Sequence, residues 1–136
     1  MYRNLQAKVE TAGSHTPVFV GVDDPLREVA FQMWQHGIGS VLVGEADRPV
    51  GIICERDVVA RIAQGADPDT VTAGHAMTPC LIAAQAGDSL SEAALKMLEE
   101  DIRHLPVLDE LGHVTGVLSV RDLMRPLLLD ALASPQ

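Results

Sequence analysis

Two stretches of this sequence carry one pattern. Gly51-Ile52-Ile53-Cys54-Glu55-Arg56-Asp57 and Gly116-Val117-Leu118-Ser119-Val120-Arg121-Asp122 both run Gly, two apolar residues, Cys or Ser, any residue, then Arg-Asp. The match continues upstream. Asp24, Leu26, Glu28, Ala30, Met33, Ile38 and Val43 correspond to Asp88, Leu90, Glu92, Ala94, Met97, Ile102 and Val107 at one constant offset. The offset grows by one before the glycines, so one loop of the second copy carries an extra residue. A repeat limits the fold more than any composition does, because one supersecondary plan must satisfy both copies. Each copy has about sixty residues, and an isolated domain of that size buries too small a share of its surface to be more than marginal. The two copies are therefore expected to share one core.

Each copy reads as β-α-β-β-α. Val18-Phe19-Val20 is a short strand, and Asp24-Pro25 opens a helix with proline at a favoured first-turn position. Leu26, Val29, Ala30, Met33 and Trp34 form one apolar helix face, which His36-Gly37 ends. Val41 to Val43 and Val50 to Ile53 are continuous apolar runs, the mark of strands covered on both faces. A second helix spans about Glu55 to Ala63. Gln64 to Thr70 is a linker rich in turn formers, and Thr72 caps a single helical turn before Met77. In the second copy Leu81-Ile82-Ala83 reads as the first strand. Ser89 and Glu92 form a capping box ahead of Leu90, Ala93, Ala94, Met97 and Leu98. Strands over Leu105 to Leu108 and Val114 to Leu118 precede a helix to about Leu132, and Ala133 to Gln136 reads as a frayed tail. Residues 1 to 15 are irregular, with a short helix near Leu5 to Val9.

In each motif the chain passes from a strand through Cys54 or Ser119 into a helix whose first turn holds Asp57 or Asp122. In the second motif the Ser119 hydroxyl and the Asp122 carboxylate then surround free backbone N–H groups at a positive helix end, a place suited to a phosphate and its sugar. With Ala76-Met77-Thr78-Pro79 and Ile102-Arg103-His104-Leu105-Pro106-Val107, these motifs make both halves resemble the CBS domain, named after cystathionine β-synthase. The tandem resembles a CBS pair, or Bateman module, over roughly residues 16 to 128. The resemblance implies an α/β (α+β) fold in which the copies, 1–66 with the N-terminal segment and 67–136 with the linker, pack about a pseudo-twofold axis. It also implies two clefts between the copies, and a homodimer joined through helices into a flat disc, with Trp34, Val59, Met124 and Leu128 as candidates for the seam.

The family's aspartate at this position holds the ribose hydroxyls of an adenosine ligand. A carboxylate accepts two hydrogen bonds, as a vicinal diol requires. The resemblance thus assigns ligand contacts to Ser119, Arg121, Asp122, Arg103 and His104 in the second copy, and to Asp57, Cys54 and Arg56 in the first. Each assignment has a simpler structural alternative. Asp57 and Asp122 suit a helix dipole, and Ser119 is an ordinary N-cap. Arg103 and His104 stand at a solvated strand end. Arg56 and Arg121 are expected to pair with nearby carboxylates. Three departures separate the chain from the family pattern: a thiol at Cys54, and apolar Phe19 and Ala83 where the first strand of each copy often carries a hydroxyl. Gly39 and Ser40 stand where the second copy has Arg103 and His104.

Net charge is −9, which opposes nucleic acid as a partner but still permits a small phosphate ligand near a local arginine cluster. No apolar run is long enough to span a membrane, and the first six residues lack the apolar core of a signal peptide. Cys54 and Cys80 have no metal-type spacing and read as free thiols of a reducing cytoplasm. His15, His36, His75, His104 and His113 are scattered, and no nucleophile elbow or glycine-rich phosphate loop occurs. The expectation is a non-enzymatic regulatory module with no required cofactor. It binds AMP, ADP or ATP, and a protein partner reads its shape. The alternative is a dimerisation or partner-docking module with empty clefts.

Overall fold

A computed structural model describes residues 6–79 and 82–133. The chain divides into two compact units, and their limits differ from the 1–66 and 67–136 division expected from sequence. Among the described residues, Pro17 to Pro79 form one unit, and the stretch up to Thr16 joins the stretch from Ile82 onward in the other.

The first unit contains β1 (Phe19–Val20), α1 (Leu26–His36), β2 (Ser40–Glu45), β3 (Arg48–Cys54), α2 (Glu55–Ala63) and the single turn α3 (Ala73–Ala76). Its sheet has the order β1-β2-β3, with β1 parallel to β2 and β2 antiparallel to β3. Leu26, Val29 and Met33 of α1 bury against Val41, Val43 and Ile53, and Ala73 and Ala76 close the core. Burying a Leu or Val side chain fully contributes about 1.5–3 kcal/mol. Gly37 ends α1 in the left-handed conformation at φ 64°, the cap expected after His36.

The second unit repeats the plan with β4 (Ala84–Gln85), α4 (Leu90–Glu100), β5 (His104–Leu108), β6 (Val114–Ser119) and α5 (Val120–Ala133). Strand order and sense are the same. Leu90, Ala93 and Met97 pack on Leu105, Val107 and Leu118, joined by Leu123 and by Val9 and Ala12 of a 3-10 turn over Val9–Ala12. Each unit thus has a core cluster of its own. The first strand of this copy lies at Ala84–Gln85 and not at Ile82-Ala83. Leu81, Cys80 and the tail after Ala133 lie outside the described residues. The expected capping box at α4 is half made. Ser89 Oγ accepts from the Glu92 N–H at 3.1 Å, and the Glu92 carboxylate takes the Ser89 hydroxyl at 3.2 Å.

Backbone hydrogen bonds explain the unit boundaries. In the second unit the Val9 N–H donates to the Asp88 carbonyl and the Leu90 N–H to the Ala7 carbonyl, both at 2.8 Å. His15 and Val117 exchange two further bonds at 3.2 and 3.1 Å. The linker plays the same part in the first unit: Ala73 N–H to Asp24 carbonyl at 2.7 Å, Leu26 N–H to Val71 carbonyl at 2.8 Å, and Ile52 and Thr78 paired at 3.1 and 2.9 Å. Each unit is therefore completed by the segment that precedes the other copy. Arg27 fixes the linker further with a two-pronged contact to Asp69 at 2.5 and 3.0 Å. That pair is exposed, so it contributes little beyond geometry.

The motif glycines follow from this crossing. A Cβ on Gly51 would stand 2.7 Å from the Thr78 carbonyl oxygen and 2.5 Å from Met77 Sδ. A Cβ on Gly116 would meet the Ser14 hydroxyl. The motif begins with glycine because the borrowed segment lies directly on that strand.

Candidate functional site

The strand-to-helix turns are built alike in the two units. In the second, the start of β5 meets the end of β6 with His104 opposite Ser119, and the Val120 N–H donates to the Arg103 carbonyl at 3.0 Å. In the first, Ser40 lies opposite Cys54, and the Glu55 N–H donates to the Gly39 carbonyl at 3.0 Å. Arg103 and His104 are thus brought beside Ser119 through strand pairing, as are Gly39 and Ser40 beside Cys54.

Around Ser119 the polar atoms form a closed box. Asp122 Oδ2 accepts from the Ser119 N–H at 2.7 Å and from the Ser119 hydroxyl at 3.0 Å. The Asp122 N–H donates back to Ser119 Oγ at 3.2 Å. Two of the free donors at the head of α5 are satisfied this way, so the capping role of Ser119 and Asp122 is present. Among the described residues Asp122 Oδ1 takes no hydrogen bond, and the residue is half-buried. That oxygen can still accept a donor from outside the turn.

Around Cys54 the box closes with sulfur. Asp57 Oδ2 accepts from the Cys54 N–H at 2.8 Å, and the Cys54 side chain faces the N–H of Asp57. Sulfur is the weaker acceptor, and here no side-chain proton reaches the carboxylate. Burial pushes the Cys54 thiol up to about 11, and the neighbouring Asp57 and Glu55 carboxylates push the same way. A thiol held protonated at neutral pH is a poor nucleophile.

The expected carboxylate pairs of Arg56 and Arg121 do not form. Both arginines are exposed, with no ion pair among the described residues. Helix spacing explains this. Partners three and four residues on are Val59 and Ala60 for Arg56, and Met124 and Arg125 for Arg121, none of them acidic. Arg103 is likewise exposed and unpaired among the described residues, while His104 is half-buried. Three guanidinium groups near the turns are therefore available to an anion. Phe19 and Ala83 present no hydroxyl.

Two features escaped sequence reasoning. Ser40 is 1% exposed, and its hydroxyl has no hydrogen-bond partner among the described residues. Nothing in the pattern separates it from the apolar strand it begins. The borrowed segments left a faint signal: Thr16-Pro17 and Thr78-Pro79 each precede a copy, and Ala12 stands to Ala76 as Leu26 does to Leu90. Among the described residues no cluster of His, Cys, Asp and Glu could hold a metal ion, and no helix is long and apolar enough to cross a membrane.

Comparison with known proteins gives this geometry a family. The sequence model of the CBS domain matches residues 9–64 and again residues 73–129. The uncharacterized protein MK0525 of Methanopyrus kandleri is 39% identical over 100 residues, 72% of this chain but 51% of that protein. Hypoxic response protein 1 of Mycobacterium tuberculosis is 33% identical over 110 residues, 79% of this chain and 76% of that protein. The chain therefore spans between half and three-quarters of the length of these two relatives. Among solved structures, the CBS domain protein PAE2072 from Pyrobaculum aerophilum, complexed with AMP, superposes with a TM-score of 0.83 at 30% identity, covering 93% of this chain and 99% of that one. The CBS domain pair of protein MJ0100, complexed with 5-methylthioadenosine and S-adenosyl-L-methionine, superposes with a TM-score of 0.79 at 26% identity, covering 88% and 98%. With both halves matched, this chain belongs to the CBS domain family, carrying two copies of the domain in tandem.

Proposed function

We propose that this chain is a regulatory sensor of an adenine nucleotide (AMP, ADP or ATP) that passes on occupancy by changing shape. It works as a homodimer in the cytoplasm, performs no chemistry itself, needs no cofactor, and is read by a protein partner. The observation that carries the reading is the state of Asp122. One carboxylate oxygen is anchored to the backbone, the other accepts nothing among the described residues, and Arg103 and Arg121 stand nearby with unpaired charges. An anchored carboxylate with an open oxygen suits a ribose hydroxyl, and free guanidinium groups suit a phosphate. The ligands of the PAE2072 and MJ0100 structures share one chemical unit, adenosine, and differ at its 5′ end. The sugar contact is therefore assigned to Asp122, and the choice among 5′ groups to Arg103, Arg121 and His104. Asp57, Cys54 and Arg56 form the weaker counterpart in the first copy.

A second reading has its own support. Ser119 spends its hydroxyl proton on Asp122, and the Cys54 turn offers no hydroxyl at all. A module whose turns are only helix caps would serve dimerisation or docking with no nucleotide bound. Calorimetric titration of the wild type and Arg103→Ala with AMP, ATP, 5-methylthioadenosine and S-adenosylmethionine separates the two. Loss of one charge-assisted contact costs about 1.5–3 kcal/mol, or roughly ten- to a hundredfold in affinity. Arg103→Ala is therefore expected to weaken AMP by at least that tenfold, and 5-methylthioadenosine, which has no phosphate, by less than about twofold. Absence of binding heat with all four ligands at millimolar concentration would establish the docking module instead.

A further inference from the structure

One cation of the second unit lies off the strand-to-helix turn. Lys96 sits in the middle of α4 and is half-buried, and its ammonium donates to the Ala83 carbonyl at 2.6 Å. Helix spacing offers it three carboxylates: Glu92 four residues before, and Glu99 and Glu100 three and four residues after. It pairs with none of them, and no ion pair reaches it among the described residues. The first copy shows the same position serving only its helix. There Gln32 stands in place of Lys96, and its amide donates back to Glu28, the counterpart of Glu92, at 2.8 Å. Lys96 turns instead from its own helix toward the sheet. A half-buried ammonium whose partner is one neutral carbonyl has given up water without gaining a counter-charge, which is costly until an anion arrives.

Strand order carries that ammonium to the end of the sheet where the Ser119 turn lies. β4 is parallel to β5 and β5 antiparallel to β6, so the starts of β4 and β5 share one sheet end with the close of β6. The register sets Ala84 beside Val107, which puts Ala83 level with Pro106 and Val117, two residues before Ser119. By strand spacing and rise, Ala83 and Ser119 stand about 12 Å apart. Arg103 and Arg121 belong to the turn, and Lys96 reaches the opposite edge of the same sheet end.

We infer that Lys96 is the distal phosphate anchor of the second-copy site, which therefore takes a nucleoside di- or triphosphate in preference to a monophosphate. The inference rests on the nucleotide reading above and narrows it. With the ribose on Asp122, a single phosphate stays beside Arg103 and Arg121. Only the outer phosphates of a longer chain reach Lys96, whose ammonium meets them as a point charge on a flexible stem. The first copy, with Gln32, has no such anchor.

Calorimetric titration of the full chain with AMP and ATP tests this, on the wild type, Lys96→Gln and Lys96→Arg. Lys96→Gln installs the first copy's residue, and Lys96→Arg keeps the charge. The wild type is expected to bind ATP more tightly than AMP, a readout that needs no variant. Lys96→Gln is expected to weaken ATP at the tighter step by roughly ten- to a hundredfold, and AMP by less than about twofold. Lys96→Arg is expected to keep the preference for ATP. A lysine that only braces the Ala83 carbonyl would move both nucleotides alike. Equal losses, an ATP step untouched by Lys96→Gln, or a wild type that prefers AMP would overturn the inference and leave nucleotide sensing standing. Absence of binding heat with either nucleotide at millimolar concentration would overturn both.

Discussion

The two copies share a backbone plan and differ in what they present at its end. In the second copy a serine hydroxyl both donates to and accepts from Asp122, and Arg103 and His104 stand on the neighbouring strand. In the first, a half-buried thiol takes the serine's place, and Gly39 and Ser40 replace the basic pair. The cap survives in both because it needs only an acceptor on the strand and a carboxylate three residues on. The basic pair Arg103 and His104 is present in one copy and absent from the other. The cap and the residues around it can thus diverge at one turn, because the cap uses only some of the atoms those side chains offer.

The largest expected difference lies in ligand binding. Asp122→Ala removes the open oxygen at the complete site and is expected to weaken the tightest nucleotide step by roughly ten- to a hundredfold. Asp57→Ala is expected to leave that step within about threefold of wild type, a change of under ~0.7 kcal/mol. Equal effects of the two substitutions, read by calorimetry, would erase the distinction between the copies.

Stability gives the next comparison. Gly51→Ala forces a methyl group onto the Thr78 backbone carbonyl, which cannot turn aside. Gly116→Ala meets the exposed Ser14 side chain, which can rotate away. Overpacking of this kind costs about 1–3 kcal/mol. Urea denaturation is expected to place Gly51→Ala in that range and Gly116→Ala below it. The reverse order would contradict the account of the crossing segments.

Cys54 connects stability to pH. Its thiol is raised from the ordinary 9.0 to about 11 by burial, so the folded state holds the proton longer than the unfolded one. Stability from this group is complete below pH 9 and is lost as pH rises toward 11. Cys54→Ser is expected to remove that loss, and to tighten the weaker nucleotide step by supplying a hydroxyl. In a Cys80→Ser background, alkylation of Cys54 should be slow at pH 8 and accelerate above pH 10. Rapid labelling at pH 8 would show a more open thiol.

The smallest effect comes from a helix end. Gly37 ends α1 in the left-handed conformation, and Asp101 occupies the same place after α4 with φ 53°. Glycine adopts that conformation without penalty, so Asp101→Gly is expected to stabilise the second unit by about 0.5–1 kcal/mol. Thermal denaturation reads the change, and a destabilised variant would show that the aspartate side chain has a role there.

Much of this was legible in the residues. The repeat set the β-α-β-β-α plan; of the expected apolar faces, Leu26, Val29 and Met33 of α1 and Leu90, Ala93 and Met97 of α4 pack, while Trp34 and Leu98 stand exposed. The segment exchange left only a faint signal, the Thr-Pro pair before each copy. Periodicity describes what one element buries, and the partner of a short 3-10 turn such as Val9–Ala12 is fixed by distant backbone donors. The free state of Arg56 and Arg121 could have been read from helix spacing, since no acid lies three or four residues ahead of either. The orphan Ser40 hydroxyl could not, because only the packed structure shows what fails to reach it.

The central claim is that two like folds carry unlike sites. Calorimetric titration of the wild-type chain with AMP tests it most directly. The account predicts two steps per chain whose affinities differ by at least about tenfold, ~1.4 kcal/mol, with Asp122→Ala abolishing the tighter step. Two equivalent sites, or a tight step that survives Asp122→Ala unchanged, would contradict it.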